Sequence, residues 1–451
     1  MQRPNWFRTF RNVTEYKNPI SLKIKSSRRC HTSDVKGTYY KCGPGVFGGS
    51  HPFDGDGVLT AYRFDGHGNV TYQSRIVETE HRKEELLHGR RMYSGAFGTP
   101  PLFRTLKNPA NTNVIFWGGV LLVFCESGAP YLVNATTLET IGIMSPFHDG
   151  APITTGMPQI DALFRRLRIF GDVVGAHPKI LELESGNRLV LYTLTYGRIS
   201  TIITFYEIDE SFSITKTTPV DVAGFLYLHD FVVTPNHYIF MQHALQINMG
   251  NARKGIVHCL KNGSGPSFIH AVSRTGKCEN DSTSLISHGF ATHHAKICWD
   301  NSNKVSITSV MYPECIDFKS LQMKSCLMRT DWNIGVDVRC TQEVVHSDWV
   351  EFPSPMTRQD DAIFATSGTE NVQQFLVKLS ADENEAWDAG PSAFIGEPIY
   401  DHNGHVLAVV HDVKKEASVL AVFDAANIAS GPIQEYWLPE HVPTTLHGCF
   451  V

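Results

Sequence analysis

The sequence has no apolar run close to the ~18 residues that a helix needs to span a bilayer. Its basic N-terminal segment, residues 1–36, lacks the apolar core of a secretory signal. The formal net charge of the 451 residues is only -5, so no basic field would attract nucleic acid. We therefore expect a cytoplasmic protein that binds no nucleic acid and for which no protein partner is inferred. Peripheral contact with a membrane and an N-terminal transit peptide stay open.

Several common catalytic signatures are also missing. The ten cysteines are scattered without a Cys-x-x-Cys pair, which excludes the usual zinc spacing and favours reduced thiols over a disulfide framework. Gly43-Pro44-Gly45 is not followed by Gly-Lys-Ser/Thr, so it is no phosphate loop, and no Gly-x-Ser-x-Gly elbow occurs. The Asp54–Gly57 run lacks the remaining ligands of an EF-hand and is typical of a tight turn.

Short β patterns are abundant, whereas helical periods are scarce. Val58–Phe64 and Val70–Ile76 alternate on either side of the turn Asp65–Asn69, which predicts a hairpin. Many short strands in one long chain predict a barrel, a pair of sandwiches or a propeller. Further strands are predicted at Asn113–Trp117, Val120–Phe124, Arg188–Thr195, Thr201–Ile208, Tyr238–Met241, Phe375–Leu379 and Val406–His411.

One segment, Gln159–Phe170, has a helical pattern in which apolar residues share one side and arginines accompany them. We predict a helix that covers the β body. The alternative is a basic amphipathic helix on a membrane surface. The residues that carry the pattern are Leu163, Phe164, Arg165, Arg166, Leu167 and Arg168.

Four histidine phrases stand far apart in the sequence: Gly-Ala-His177-Pro-Lys, Leu-His229-Asp-Phe, the pair His293-His294, and Leu-His447-Gly. Only a fold that brings distant strands together could make one site of them. Intervals of roughly 50–150 residues suit a propeller, whose blades take ~40–50 residues each, with the ligands meeting on the central axis. Neutral imidazoles bind divalent transition metals well, iron(II) among them.

Other phrases accompany the histidines in a fixed order. With them, the chain resembles the carotenoid cleavage oxygenase family from about Gly37 to Val451. The resemblance implies one domain, residues 37–451, on which residues 1–36 pack. These phrases are Gly43-Pro44-Gly45, His51–Gly57, Asn111–Asn113, Cys125-Glu126-Ser-Gly, Thr137–Thr140, Glu351-Phe352-Pro353 and Gly396-Glu397-Pro398.

The resemblance implies an all-β fold, a seven-bladed β-propeller with a helical dome over the face that holds the iron site. It also implies iron(II) on the axis, bound by four histidines without a carboxylate ligand. Carried over to this sequence, three ligands are His177, His229 and His447.

The fourth ligand is one of the pair His293-His294. The family phrase reads Phe-His-x-x-Asn-Ala-Tyr/Trp-Glu, and matching its aromatic-acid end to Trp299-Asp300 selects His294. Matching Thr292 to the phenylalanine selects His293 instead. We prefer His294, because the aromatic-acid end anchors that alignment. Ile297 then stands where the family has asparagine, so this phrase departs from the pattern.

The family also implies three glutamates that accept hydrogen bonds from the ligand imidazoles. The matching residues are Glu126, Glu351 and Glu397, each in an apolar, strand-like setting. A carboxylate in such a setting needs a partner, because an unpaired buried charge is costly. A ligand that binds through Nε2 keeps a proton on Nδ1, which a carboxylate can accept.

The activity implied by the resemblance is oxidative cleavage of a carbon–carbon double bond in a carotenoid or apocarotenoid, with iron(II) as cofactor and with O2 and an apolar polyene as substrates. Both oxygen atoms enter the aldehyde or ketone products. Stilbene cleavage is an alternative, although Cys125 stands where stilbene-cleaving members tend to carry lysine. Retinoid isomerohydrolysis and a non-catalytic, lipid-binding propeller are two further alternatives.

Overall fold

The structure of the protein is a computed structural model. The residues that it describes are 6–27, 34–48, 51–99, 106–126, 128–147, 172–197, 199–276, 281–287, 289–300, 303–313, 324–356, 362–368, 373–380 and 383–451. Within these ranges the strands form seven antiparallel sheets of four to six strands and one two-stranded hairpin. Each larger sheet is one blade, and the blades are numbered here along the chain.

Blades 1 to 3 come from the first half of the chain, and blade 1 also contains the last strand. Blade 1 consists of Tyr16–Ser21, Lys36–Val46, Asp56–Asp65, Val70–Ile76 and Gly448–Phe450. Blade 2 consists of Asn113–Trp117, Val120–Phe124, Tyr131–Val133 and Thr140–Ile143. Blade 3 consists of Val173–Val174, Lys179–Leu181, Arg188–Tyr196, Ser200–Ile208 and Ile214–Ala223.

Blades 4 to 7 follow in order, and blade 7 also contains a strand from the N-terminus. Blade 4 consists of Val232–Val233, His237–Gln242, Ser267–Ser273 and Ser282–Ile286, with the hairpin Leu245–Ile247 and Leu260–Asn262 inserted. Blade 5 consists of Phe290–Trp299, Lys304–Tyr312, Cys326–Asn333 and Thr341–His346. Blade 6 consists of Val350–Pro355, Ile363–Ser367, Phe375–Leu379 and Glu385–Asp388. Blade 7 consists of Lys23–Ser27, Ala393–Ile395, Ile399–Tyr400, His405–Asp412, Ala417–Asp424 and Gln434–Trp437.

The hydrophobic core consists of buried apolar clusters, each between two neighbouring blades. In the described part of the chain there is one cluster for every pair of neighbours, including blades 7 and 1, so the ring is closed. Successive side chains of a strand point to opposite faces. In Val120–Phe124, Leu121 and Val123 therefore pack toward blade 1, whereas Leu122 and Phe124 pack toward blade 3. The predicted seven-bladed propeller is confirmed.

Both chain ends take part in closing the ring. The last strand, Gly448–Phe450, pairs with Lys36–Val46 in blade 1. The N-terminal strands Tyr16–Ser21 and Lys23–Ser27 pair with strands of blades 1 and 7. Hydrogen bonds between segments from opposite ends of the sequence therefore join the first blade to the last.

Helical structure is a minor part of the described ranges. The α-helix there is Glu80–His88, which Thr79 caps by accepting a hydrogen bond from Arg82 N and which ends at Gly89 with φ 61°. No described helix is long and apolar enough to cross a membrane. The helix predicted at Gln159–Phe170 lies outside the described residues. The 3-10 turns are Trp6–Thr9, Pro52–Asp54, Met249–Lys254, Ile256–Cys259 and Ile428–Ser430.

Candidate metal centre

The four histidine phrases lie at the inner edges of four blades, in or beside the strands that face the axis. His177 precedes Lys179–Leu181 in blade 3, and His229 precedes blade 4. His293 lies in the first strand of blade 5, and His447 precedes Gly448–Phe450 in blade 1. Inner strands of different blades contact one another, as Ile399–Tyr400 does with Gly448–Phe450. Residues more than 250 positions apart in sequence therefore meet around one axis.

Four imidazole rings are gathered there. The ring centroid of His177 lies 4.6 Å from that of His229, 5.1 Å from that of His293 and 4.7 Å from that of His447. The ring of His293 lies 5.2 Å from that of His229 and 4.9 Å from that of His447. One nitrogen atom each of His177, His293 and His447 lies within 4.8 Å of the others, and so do ligand atoms of His177 and His229. The donors converge on a space for one ion.

The donor set fits a metal ion. Nε2 of His177 is buried and has no hydrogen-bond partner among the described residues, and a buried polar atom without a partner is costly. Burial, together with the neighbouring imidazoles, lowers the pKa of His177 and of His293 well below the usual value. Both rings are therefore neutral and offer lone pairs, which is the form that binds a transition metal.

The carboxylates of Glu126, Glu351 and Glu397 lie near three of the rings, two of them at Nδ1. Nδ1 of His229 contacts Glu126, and Nδ1 of His447 lies 2.7 Å from Oε1 of Glu397. Oε2 of Glu351 lies 3.6 Å from Nε2 of His293. A carboxylate bonded to Nδ1 fixes the ring and its tautomer and leaves Nε2 free for a metal. Burial lowers the pKa of His229, but Glu126 outweighs that effect and the pKa lies above its usual value.

Each carboxylate has a second partner that the sequence analysis did not identify. The phenols of Tyr227 and Tyr312 donate to Glu126 and Glu351, respectively. The third partner is an ammonium group, Nζ of Lys41, 2.7 Å from Oε2 of Glu397. The sequence offered a signal for Tyr227 as a partner of this centre, because it lies two residues before His229. Lys41 is brought to Glu397 by closure of the ring, and Tyr312 is brought to Glu351 by the packing of blade 5 against blade 6.

Burial also affects the carboxylates themselves. It raises the pKa of Glu351 to about 8, and a cation on the axis would act in the opposite direction. Burial acts to raise the pKa of Glu397 as well, but Lys41 and His447 together outweigh this effect and leave the pKa below its usual value. Glu397 is therefore held as the charged acceptor of the His447 proton.

The structure brings His293 into the cluster, whereas His294, the ligand preferred from the sequence, lies outside it. Nδ1 of His294 lies 2.7 Å from Oγ of the buried Ser309, in the adjacent strand. The strand pairing of Phe290–Trp299 skips Thr292 and Ala295, so the strand is bulged on both sides of the pair. A bulge adds one residue and changes which side chains share a face. Counting back from Trp299-Asp300 therefore selects the histidine that lies outside the cluster.

A second polar cluster joins three of the histidine phrases outside the ring of imidazoles. Asp230, next to His229, is buried, and its Oδ1 lies 2.7 Å from Nζ of Lys179. Its Oδ2 accepts a hydrogen bond of 2.9 Å from the backbone N of His294. Asp230 thus ties the His177 phrase to the bulged strand that carries His293. The aspartate is visible in the His229 phrase, but its partners are not predictable from the sequence.

Phe352 covers one side of the cluster. Its ring centroid lies 5.4 Å from that of His447 and 6.1 Å from that of His293. Its φ is 51°, which is unfavourable for a bulky side chain. The pairing of its strand shifts between Glu351 and Ser354, and this bulge imposes the conformation. An apolar ring is thereby held against two of the four imidazoles.

Comparisons with known proteins agree with this arrangement. The family model described as retinal pigment epithelial membrane protein matches residues 33–451. The chain is 28% identical to apocarotenoid-15,15'-oxygenase from Synechocystis sp., over 92% of this chain and 90% of that protein. It is 22% identical to lignostilbene-alpha,beta-dioxygenase isozyme III from Sphingomonas paucimobilis, over 92% of this chain and 91% of that protein.

Solved structures share the fold over the whole chain. A variant of Synechocystis apocarotenoid oxygenase has a TM-score of 0.85 at 24% identity, with 100% of both chains covered. The cobalt-substituted form has a TM-score of 0.84 at 25% identity and covers 99% of this chain and 98% of that one. A metal-containing relative therefore has the same propeller as the chain described above.

Proposed function

This chain belongs to the retinal pigment epithelial membrane protein family, and from this premise we propose that it is a non-haem iron(II) dioxygenase. Its reaction is cleavage of a carbon–carbon double bond of a carotenoid or apocarotenoid. The observation that carries the proposal is the cluster of four imidazoles, with the unpartnered Nε2 of His177 directed into the buried interior.

We assign the metal ligands to His177, His229, His293 and His447, and the residues that orient them to Glu126, Glu351 and Glu397. Iron(II) bound there would supply the binding and activation of dioxygen. Glu397 and Glu126 are each placed to accept a hydrogen bond from Nδ1–H of one imidazole, which holds the proton on Nδ1 and leaves Nε2 unprotonated. The four ligands carry no charge of their own, so the ion keeps its positive charge toward the substrates.

The remaining task of the protein is positioning. One alkene and one dioxygen give two carbonyl fragments, so both oxygen atoms are retained and no other reductant is needed. The ring of Phe352 keeps water from one side of the cluster. An apolar polyene carries no charge with which to be oriented. Shape alone must therefore select the double bond.

Cys125 favours the polyene over a stilbene. A phenolic stilbene offers a hydroxyl that a cationic side chain could bind, but the residue before Glu126 is a cysteine, which is small and is not a cation. The higher identity to the apocarotenoid-cleaving relative, 28% against 22%, supports the same choice. Stilbene cleavage is therefore the second candidate function.

The test is aerobic incubation of the iron-loaded protein with a panel of carotenoids, apocarotenals and stilbenes, with products identified by mass. We expect aldehyde or ketone fragments from a polyene, with label from 18O2 in both. His177→Ala should abolish the activity, whereas His270→Ala, in blade 4 between Gln242 and Thr283, should not. Cleavage of stilbenes alone would select the alternative, and failure to bind iron would favour a non-catalytic, lipid-binding propeller.

We assign membrane contact to the helix Glu80–His88, because contact with a bilayer would give access to a dissolved polyene. One side of this helix is held to the protein by Glu85, whose Oε2 lies 2.7 Å from Nζ of the buried Lys107. The outer side exposes 63% of Leu86 and 82% of Leu87. Exposed Lys83 and Arg90 lie close to them in sequence. Adjacent apolar and basic groups suit an anionic bilayer surface.

Flotation with phosphatidylglycerol vesicles tests this contact. Leu86→Ser with Leu87→Ser should reduce flotation, whereas Ile199→Ser, which changes another residue of 82% exposure, should not. Equal flotation of all three proteins would exclude the helix as the contact. The Gln159–Phe170 segment, the anchor considered from the sequence, lies outside the described residues.

A further inference from the structure

The three carboxylates behind the imidazoles differ in their second partner. Glu126 and Glu351 are bonded to neutral phenols, those of Tyr227 and Tyr312. Glu397 is bonded to the ammonium group of Lys41. The carboxylate beside His447 is therefore the one of the three that is paired with a charged group.

Lys41 is unusually well buried for a lysine, with a side-chain exposure of 1%. Its Nζ makes two contacts that both lead to the same ligand. One is the bond of 2.7 Å to Glu397, which in turn lies 2.7 Å from Nδ1 of His447. The other is a bond of 2.9 Å to the backbone O of Leu446, the residue before His447. Lys41 thus holds both the ring partner and the main chain of this ligand.

The surrounding chain is built closely around the lysine. A Cβ added to Gly448 would lie 2.6 Å from Cδ of Lys41 and 2.2 Å from the backbone O of Tyr40. Only glycine can therefore follow His447 here. The hydroxyl of Tyr39 donates a bond of 2.9 Å to the backbone O of Glu397. Both ends of the Lys41–Glu397 pair are fixed, so the pair cannot relax toward solvent.

We propose that Lys41 is a positioning residue of the metal centre, which orients His447 through Glu397. The inference rests on the proposed metal-binding function. Without Lys41 the buried carboxylate of Glu397 would lose its charged partner, which is costly.

The experiment measures cobalt(II) binding to the full-length protein in competition with a chelator, together with the visible ligand-field spectrum of the bound ion. Removing an outer partner of a metal ligand typically weakens metal binding about 10–100-fold. We expect Lys41→Met to weaken cobalt binding by that factor and to shift the spectrum.

A second buried lysine provides the matched control. Lys107 is 4% exposed and bonded to Asp56 and Glu85, carboxylates that do not contact the imidazoles. Lys107→Met should destabilise the fold but leave the affinity and spectrum of the folded protein unchanged. Equal losses in Lys41→Met and Lys107→Met would overturn the proposal, as would a Lys41→Met protein with the wild-type affinity and spectrum.

A double-mutant cycle answers the question even if Lys41→Met alone does not fold, because removing both partners of a buried pair is milder than removing one. Glu397→Gln leaves the buried ammonium group of Lys41 without its carboxylate. If Lys41 acts through Glu397, the double variant Glu397→Gln, Lys41→Met should therefore bind cobalt no more weakly than Glu397→Gln alone. A further loss of tenfold in the double variant would overturn the proposal. A wild-type protein that binds no cobalt would overturn both this inference and the proposed function.

Discussion

If His293 and not His294 is the metal ligand, alanine substitutions at these two adjacent residues should have opposite effects on metal affinity and stability. His293→Ala removes one of the four imidazoles, so metal binding should fall by more than the roughly 100-fold upper value for loss of an outer partner, or about 2.7 kcal/mol. In the metal-free protein His293 has ring contacts, but its polar contact among the described residues is a distant one, 3.6 Å to the carboxylate of Glu351. His293→Ala therefore loses no hydrogen bond, and the free energy of unfolding of that form should change less than that of His294→Ala.

His294→Ala should have the reverse effect. It removes the 2.7 Å hydrogen bond with Ser309, whose side chain is completely buried. Loss of a partner for a buried hydroxyl costs about 1–3 kcal/mol. The bond from the backbone N of residue 294 to Asp230 does not depend on the side chain, so His293 should stay in place and metal binding should persist.

Two measurements on both variants separate these outcomes. Cobalt(II) competition gives the metal affinity, and urea unfolding of the metal-free protein gives the stability. We expect low affinity with near-normal stability for His293→Ala, and normal affinity with reduced stability for His294→Ala. If His294→Ala lost the metal while His293→Ala kept it, the assignment drawn from the strand bulges would be refuted.

Three further changes test other parts of the structure. Glu207→Gln should cost about 3–5 kcal/mol in urea unfolding, because it breaks a buried, bidentate pair with Arg274; unchanged stability would contradict this. Gly448→Ala should lower both stability and cobalt affinity, because its Cβ would lie 2.2 Å from a backbone oxygen, whereas Gly142→Ala, with nothing within 4 Å, should affect neither. Tyr227→Phe removes the phenol that donates to the carboxylate behind His229, and should weaken cobalt binding about tenfold at nearly constant stability; wild-type affinity would show that the phenol is not needed.

Local patterns predicted the strands well. The predicted strands Asn113–Trp117, Val120–Phe124 and Phe375–Leu379 have the same bounds in the structure. The hairpin around Asp65–Asn69 also forms, with its first strand extended to Asp56–Asp65. Alternation of apolar and polar residues indicates a strand with one buried face, and a continuous apolar run indicates a strand with two buried faces. They do not report which blade each face meets.

The sequence by itself determined that distant histidines and glutamates in ordered phrases belong to one propeller, because those phrases are local and each keeps its own short pattern. Tertiary structure decided the rest of the centre. The bulges at Thr292 and Ala295 turned His293 rather than His294 toward the axis, and a bulge depends on pairing with the next strand. Ring closure brought Lys41 to Glu397, 356 residues away. Contacts between residues so far apart in the sequence depend on how the blades pack, and no local sequence pattern encodes that packing.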